Sequence, residues 1–503
     1  MKKYIFIQYL LIVGVLFFTG CTEDFESINE TKKEVKTIDV KYLLPTIQTD
    51  FMWQYLKDDV NGNVTLVMAQ YFSQSSYGNE SNYIFREGMR NAYVQEMYRI
   101  VLHCTTILDM VEANEDLSDA QRNAWRLIAT TLKVNAYQVI TDANGPAIYS
   151  GAMNIETPTP AYDTQKEVYQ GLMTELSDAS KAVNGNTDVD IFVGEQDLIY
   201  GGDIAQWQKY ANSLLLRLCM RVSDVDEALS KQYFAMAIAP ENGGVFTSNS
   251  DNALLPYGDS PSGNPLFEST FNSYDRGLLA SSTMFDLQNR VNDPRKAFYW
   301  DSWSDQPLKY GDILNGASHW NYASINPNLV GYKKYPTKWY GLVSDLPGIF
   351  MDYAEVELFL AEAAVRKYAS AGEAKTHYEA GVSASINYYL DFLGGDYAAN
   401  IQAYLTGEEV VWDNFMTMDQ QLDRIGEEKY LALFLQGPEA WAEVRRLGRH
   451  IMQNPDGKTE ADYPTRMQFS PQEWTINEAN LTEVLSDVEG GDLHTGKVWW
   501  DIH

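Results

Sequence analysis

Residues 353–390 read YAEVELFLAEAAVRKYASAGEAKTHYEAGVSASINYYL, and their spacing decides the fold. Val356, Phe359, Leu360, Ala363 and Ala364 recur at the three-and-four interval that gathers side chains on one face of an α-helix. Small alanines on that face permit close contact with another helix. The pattern ends near Tyr368, and Gly372 breaks it, as a glycine just past a helix end does. A second helical run opens at Ala374. The stretch therefore reads as helix, turn, helix.

In the second helix, Ala374, Tyr378 and Gly381 set a small residue, a bulky one four later and a small one three after that. This order resembles the second helix of a tetratricopeptide repeat, a unit that stacks helix pairs around a shared core. Other segments have the same character. Ser118 with Gln121, and Thr164 with Glu167, form capping boxes before apolar runs at helical spacing. The helices they start, near 118–143 and 162–183, make another candidate pair. Trp207, Tyr210, Ala211, Leu214, Leu215, Leu218 and Val222 form a stripe wide enough for a helix buried on more than one side. Gly437-Pro438 marks a helix stop and a new start, with the new helix running from Glu439 to Arg446. No strict 34-residue recurrence is present, so such repeats are degenerate. Residues 241–350 differ: they hold 8 of the 17 prolines together with Trp300, Trp303, Trp320 and Trp339. They read as loops and short strands, interrupted by a helix near Leu278–Val291.

The N-terminus carries an address. Met1-Lys2-Lys3, an apolar run from Tyr4 to Phe18, and Thr19-Gly20 describe a secretory signal. Cys21 follows directly, as in lipoprotein signals, although Phe18 stands where an aliphatic residue is usual. Cleavage before Cys21 would leave its thiol and new amine to carry acyl chains, each adding ~0.8 kcal/mol of membrane affinity per buried CH2. Residues 22–40 are polar and acidic and read as a tether.

Without Lys2 and Lys3 the chain has 36 basic and 69 acidic residues, a net charge of −33. Such a surface repels nucleic acid and anionic lipid and suits a neutral or cationic ligand. Cys104 and Cys219 sit in apolar helical patterns and read as free buried thiols, with a disulfide between them the alternative.

Few motifs carry chemistry. Six histidines and two further cysteines give no zinc spacing. Asn184-Gly185-Asn186-Thr187-Asp188-Val189-Asp190 spaces oxygens as calcium loops do, yet lacks a clear closing glutamate, so a polar turn is favoured over a structural calcium. There is no Gly-x-Ser-x-Gly elbow, P-loop or dinucleotide fingerprint. The adjacent acids Glu355/Glu357, Glu408/Glu409 and Glu427/Glu428 read as solvated faces or partners for arginine rather than a glycosidase pair, and Glu439, Glu443, Arg445 and Arg446 as an ion-pair network where helices pack. Aromatic residues give the strongest hint, with 33 Tyr and 12 Trp. Tyr71, Tyr77 and Tyr83 lie in a polar stretch with Gln70, Gln74, Asn79 and Asn82. Rings beside amides and hydroxyls suit sugars, each ring adding ~0.5–1.5 kcal/mol beyond area burial. Trp125, Trp207 and Trp441 are assigned to the core.

Taken in order, several segments resemble the SusD/RagB-type nutrient-binding outer-membrane lipoproteins, in particular the SusD-like type 2 branch. They are Cys21 with its tether, Gln70 to Tyr83, Ala211 to Arg221, Asn292-Asp293-Pro294-Arg295, Ala361 to Ala364 with Tyr378 to Gly381, Glu439 to Arg446, and Trp499-Trp500-Asp501. The resemblance implies a mainly α fold, an α-α superhelix of four tetratricopeptide-like pairs supporting a loop-rich ligand-binding part, with no enzymatic activity and no cofactor. The chain would comprise a signal at 1–20, a lipidated tether at 21–40, and one SusD-like domain at 41–503. The partner would be a SusC-like TonB-dependent β-barrel transporter, and the ligand an oligosaccharide. The implied contact regions are Tyr71–Tyr83 and Trp300–Tyr340, with Tyr71, Tyr77, Asn79, Tyr83, Trp300, Trp303, Trp320, Trp339 and Tyr340 as candidates. Arg217, Arg221, Arg295 and Arg445 would hold helices together. Two alternatives stand beside oligosaccharide capture: oligopeptide capture by the same architecture, and a surface glycosidase.

Overall fold

The 353–390 stretch folds as a helix pair in the computed structural model, which describes residues 39–257, 264–265, 278–301, 304–325, 346–393 and 398–503. The main helices in chain order are α1 Leu44–Leu56, α2 Glu87–Ala113, α3 Asp119–Asn144, α4 Gln165–Val183, α5 Ile204–Arg221, α6 Glu227–Ala237, α7 Ser282–Val291, α8 Tyr353–Val365, α9 Ala374–Leu393, α10 Ala398–Leu405, α11 Met418–Ala432, α12 Gly437–Glu443 and α13 Glu478–Leu485. Helices α2 to α6 each pack on the next, α8 packs on α9 and α11, and α5 crosses to α8. The protein is thus mainly α, with tetratricopeptide-like helix pairs. Among the described residues, no helix is long and apolar enough to cross a membrane.

Local chemistry accounts for these elements. Both expected capping boxes form, with Ser118 and Thr164 accepting from the backbone of Gln121 and Glu167. Gly372 sits at φ +79°, a left-handed conformation that L side chains rarely adopt. At Gly381, an added Cβ would lie 2.8 Å from Leu358 Cγ and 3.1 Å from Ala354 O, so only glycine lets α9 approach α8 this closely. Trp125, Trp207 and Trp441 are buried as expected. Cys104 and Cys219 are buried and unpaired.

Some boundaries differ from the sequence reading. Leu278–Ala280, expected at the start of a helix, is a strand antiparallel to Phe72–Gln74. Ser281 then caps α7 by accepting from Met284 N, so backbone pairing takes the first three residues and the cap sets the helix start. A second two-strand ladder joins Ala253–Leu255 to Gly348–Met351. Helix α12 passes at Val444 into a π-helical turn ending at Gly448. The tether boundary also shifts, because Asp39 caps a turn at Val40–Tyr42 and Val40 is buried. Cys21 lies outside the described residues.

Buried charges cross-link the scaffold. Arg217 on α5 grips Glu355 on α8 through contacts of 2.7 and 2.5 Å. Arg221 pairs with Glu439 and with Glu443, the latter at 2.6 Å. Glu362 meets Arg446 at 2.6 Å and Lys429 at 3.1 Å, and both cations also reach Glu443. Arg445 donates to Asp142 O and Thr465 O, each at 2.7 Å, with its guanidinium against Trp441 and Trp500. Arg295 binds Asp293 and Glu428 at 2.8 Å and the hydroxyl of Ser385 on α9 at 3.0 Å. The adjacent glutamates likewise take partners: Glu409 and Glu427 meet Arg290, and Glu357 is hydrogen-bonded to His377 Nδ1.

Candidate functional site

The polar stretch after Tyr71 forms a loop whose base is locked. Glu80 is fully buried and accepts from Arg86 Nε at 2.7 Å, Arg86 Nη2 at 3.0 Å and Gln74 Nε2 at 3.0 Å. Ser81 Oγ accepts from Gln74 N. A second loop, 308–325, is tied to the first. Leu314 N donates to Ser75 O at 3.1 Å, and Asn82 Nδ2 donates to Gly311 O at 2.9 Å. Gly78 permits this contact, since a Cβ there would sit 2.6 Å from Ile313 Cγ2.

The candidate aromatics separate into two groups. Tyr77, at φ +56°, is 79% exposed, and Trp320 on the partner loop is 51% exposed. Asn79 is half-buried beside Tyr77. These three lie on the two tied loops. Tyr71, Tyr83 and Trp300 do not join them, and their assignment to ligand contact is corrected by burial. Tyr71 OH donates to Tyr430 O at 2.6 Å while its ring packs on Tyr430 and Phe434. Tyr83 packs on Tyr463 and Tyr310, and Gln70 donates to its hydroxyl. Trp300 Nε1 donates to Gln288 Oε1 at 2.6 Å, its ring against Phe72 and Phe434. A buried ring with its polar tip already engaged offers no face to a ligand. Trp303, Trp339 and Tyr340 lie outside the described residues.

Sequence reasoning passed over two aliphatic residues here. Ile313 and Ile84 are exposed large hydrophobics, Ile313 in contact range of the Tyr77 loop. An isoleucine inside a glycine- and asparagine-rich segment, Gly311-Asp312-Ile313-Leu314-Asn315-Gly316, is the signal that marks Ile313.

The surface is suited to binding. Its exposed side chains include the rings of Tyr77 and Trp320 and the aliphatic Ile313 and Ile84, with Asp312 and Lys309 charged on the second loop, and the buried carboxylate of Glu80 is consumed by Arg86. Among the described residues, no group of three or more His, Cys, Asp or Glu is placed to hold a metal ion. In the 184–190 segment Asn184 caps α4 in the left-handed conformation and Asp190 Oδ1 accepts from Phe192 N.

A helical-repeat scaffold bearing an open aromatic loop surface defines the class: a binding protein built on stacked helix pairs. The chain belongs to the SusD-like family described as starch-binding and associating with the outer membrane, whose model matches residues 32–470. A solved chitin-binding protein shares 25% identity, with 92% of this chain and 100% of that one covered, at a TM-score of 0.76. A chitin-binding SusD homologue from Flavobacterium johnsoniae shares 24% identity over 92% and 99% of the two chains, also at 0.76. A SusD homologue from Bacteroides uniformis shares 24% over 92% and 100%, at 0.75. No curated protein sequence matches.

Proposed function

We propose that this protein captures oligosaccharides at the cell surface and passes them to a SusC-like TonB-dependent β-barrel transporter, without catalysing a reaction. The observation that carries the reading is the pair of exposed rings, Tyr77 and Trp320, on hydrogen-bonded loops in a chain of a starch-binding family. Stacking of sugar C–H faces on these rings supplies affinity, and amides such as Asn79 bond the hydroxyls. Trp303, Trp339 and Tyr340, outside the described residues, remain proposed ligand contacts. Upstream, the signal ends before Cys21, acyl chains on Cys21 hold the protein on the outer membrane facing outward, and the polar segment after Cys21 is the tether to the SusD-like domain.

The test is titration calorimetry with maltohexaose, chitohexaose and a panel of basic peptides, the last because a net charge of −33 would favour them. A neutral glycan is expected to bind. Tyr77→Ala and Trp320→Ala should each weaken it about 5- to 30-fold, equivalent to about 1–2 kcal/mol of lost ring contact. Binding of peptides alone would sink the glycan reading while leaving the capture architecture in place.

A further inference from the structure

The long loop between α3 and α4 borders a cleft whose walls include no residue of the Tyr77 and Trp320 loops. The cleft has a volume of about 540 Å³ and lies between Val94–Tyr98 on α2, loop residues 146–162, and residues 468–473. A pocket of ~300–1,000 Å³ with apolar walls and a few convergent polar groups is the usual form of a small-molecule site.

Its walls are built rather than incidental. Tyr98 OH accepts from Ile148 N at 2.8 Å, which fixes that ring. Tyr162 OH donates to Glu473 Oε2 at 2.6 Å, and its ring meets Phe469 edge to face at 5.4 Å. The loop wall is pinned by Asn477 Nδ2 on Pro160 O at 2.8 Å and by Asn480 Nδ2 on Thr159 O at 3.0 Å. At its other end Asp163 Oδ2 accepts from Tyr149 N and Ser150 N.

Three features define the occupant. Among the described residues lining the cleft, Glu473 is the one charged side chain, with no Lys, Arg or His, so anions are disfavoured. The side-chain amides of Gln95 and Gln472 stand on the exposed rim, each able to donate and accept. The mouth carries Ile155, 96% exposed, an apolar surface left for a ligand to cover.

We infer that this cleft is a second binding site for a neutral oligosaccharide, with sugar faces against the half-buried rings of Tyr98 and Tyr162 and hydroxyls on Gln95 and Gln472. This inference rests on the glycan-capture reading and adds a site to it. A chain of several sugars held at two sites dissociates more slowly than one held at either alone.

The experiment is calorimetric titration of the full-length chain in a sugar-free detergent with maltohexaose and chitohexaose. Four proteins are compared: wild type, the Tyr77→Ala/Trp320→Ala double variant, Ala152→Trp, which fills the cleft, and Gln95→Ala/Gln472→Ala, which removes exposed rim amides only. Thermal melts check that each is folded. Two classes of site are expected in wild type. Ala152→Trp should abolish one, the rim variant should weaken that same one about tenfold, and the loop variant should affect only the other. Sugar binding that ignores both cleft variants overturns the inference while the loop reading stands. Binding lost in the cleft variants but untouched by the loop variant keeps the inference and overturns the loop reading. Absence of sugar binding by wild type overturns both.

Discussion

Replacing Glu362 with glutamine should destabilise this protein more than almost any other single-atom-scale change. The carboxylate is fully buried and meets three cations: Arg446 at 2.6 Å, Lys429 at 3.1 Å and Arg366 at 2.9 Å. Arg446 and Lys429 are themselves buried. A unit-charge pair about 4 Å apart at an effective dielectric of 20 interacts by about 4 kcal/mol. Glu362→Gln keeps the shape but removes the charge, leaving Arg446 and Lys429 to share Glu443, which Arg221 also uses. Desolvation of the lost carboxylate returns part of the energy. The expected net loss is that of breaking a buried ion pair from one side, about 3–5 kcal/mol. The assay is urea unfolding followed by tryptophan fluorescence, comparing midpoints at constant slope. The control is Glu362→Met with Lys429→Met and Arg446→Met. If the cost comes from uncompensated buried charge, the triple variant should be more stable than Glu362→Gln. A Glu362→Gln stability within about 0.5 kcal/mol of wild type would refute the reasoning, because surface changes of no consequence fall in that range.

Three further outcomes are expected. Gly381→Ala should cost about 1–3 kcal/mol by pushing α9 off α8 against Leu358 and the Ala354 carbonyl, whereas Gly185→Ala, with open space around its Cβ, tests only backbone strain; equal midpoints for Gly381→Ala and wild type would contradict the close contact. Burial pushes the Glu443 carboxyl up, but Arg446, Lys429 and Arg221 override it and hold the group at about 2. Its stabilising contribution is therefore complete above the unfolded value of 4.5 and disappears as pH falls towards 2, at about 1.4 kcal/mol per pH unit. The gap in urea midpoint between wild type and Glu443→Gln should be constant from pH 7 to 5 and narrow between 4.5 and 3; a gap that stays constant there would count against the pairing. Burial pushes the Cys104 thiol up to about 12 and raises Cys219 further, so neither should react with a thiol reagent at pH 8 until urea unfolds the chain; fast reaction of the native protein would disprove their burial.

Much of the scaffold was legible in the chain because its signals are local. A capping box needs only residues three apart, and Ser118/Gln121 and Thr164/Glu167 satisfy themselves within one turn. Helical period and the Ala374, Tyr378, Gly381 spacing depend on neighbours on one helix face, and both helices of that pair form where the pattern places them. The first three residues of the expected 278–291 helix failed for the opposite reason: Leu278–Ala280 pairs with Phe72–Gln74, about two hundred residues away, and no local spacing announces such a partner.

The same division governs the binding surface. Sequence by itself determined the helical class, the ends of the capped helices, and which arginines and glutamates were available to pair, since propensity, periodicity and charge are properties of short stretches. It could not separate Tyr77 from Tyr71 and Tyr83, three tyrosines in one polar segment, because exposure depends on what packs above each ring. Tertiary structure decided that: Tyr430 and Phe434 cover Tyr71, Tyr463 and Tyr310 cover Tyr83, and Tyr77 is left in solvent. It also decided which acid each arginine takes, Arg217 reaching Glu355 across 138 positions and Arg221 reaching Glu443 across 222. The cleft walled by residues near 95, 150 and 470 exists only because the helix pairs stack, bringing together side chains whose spacing along the chain carries no common period.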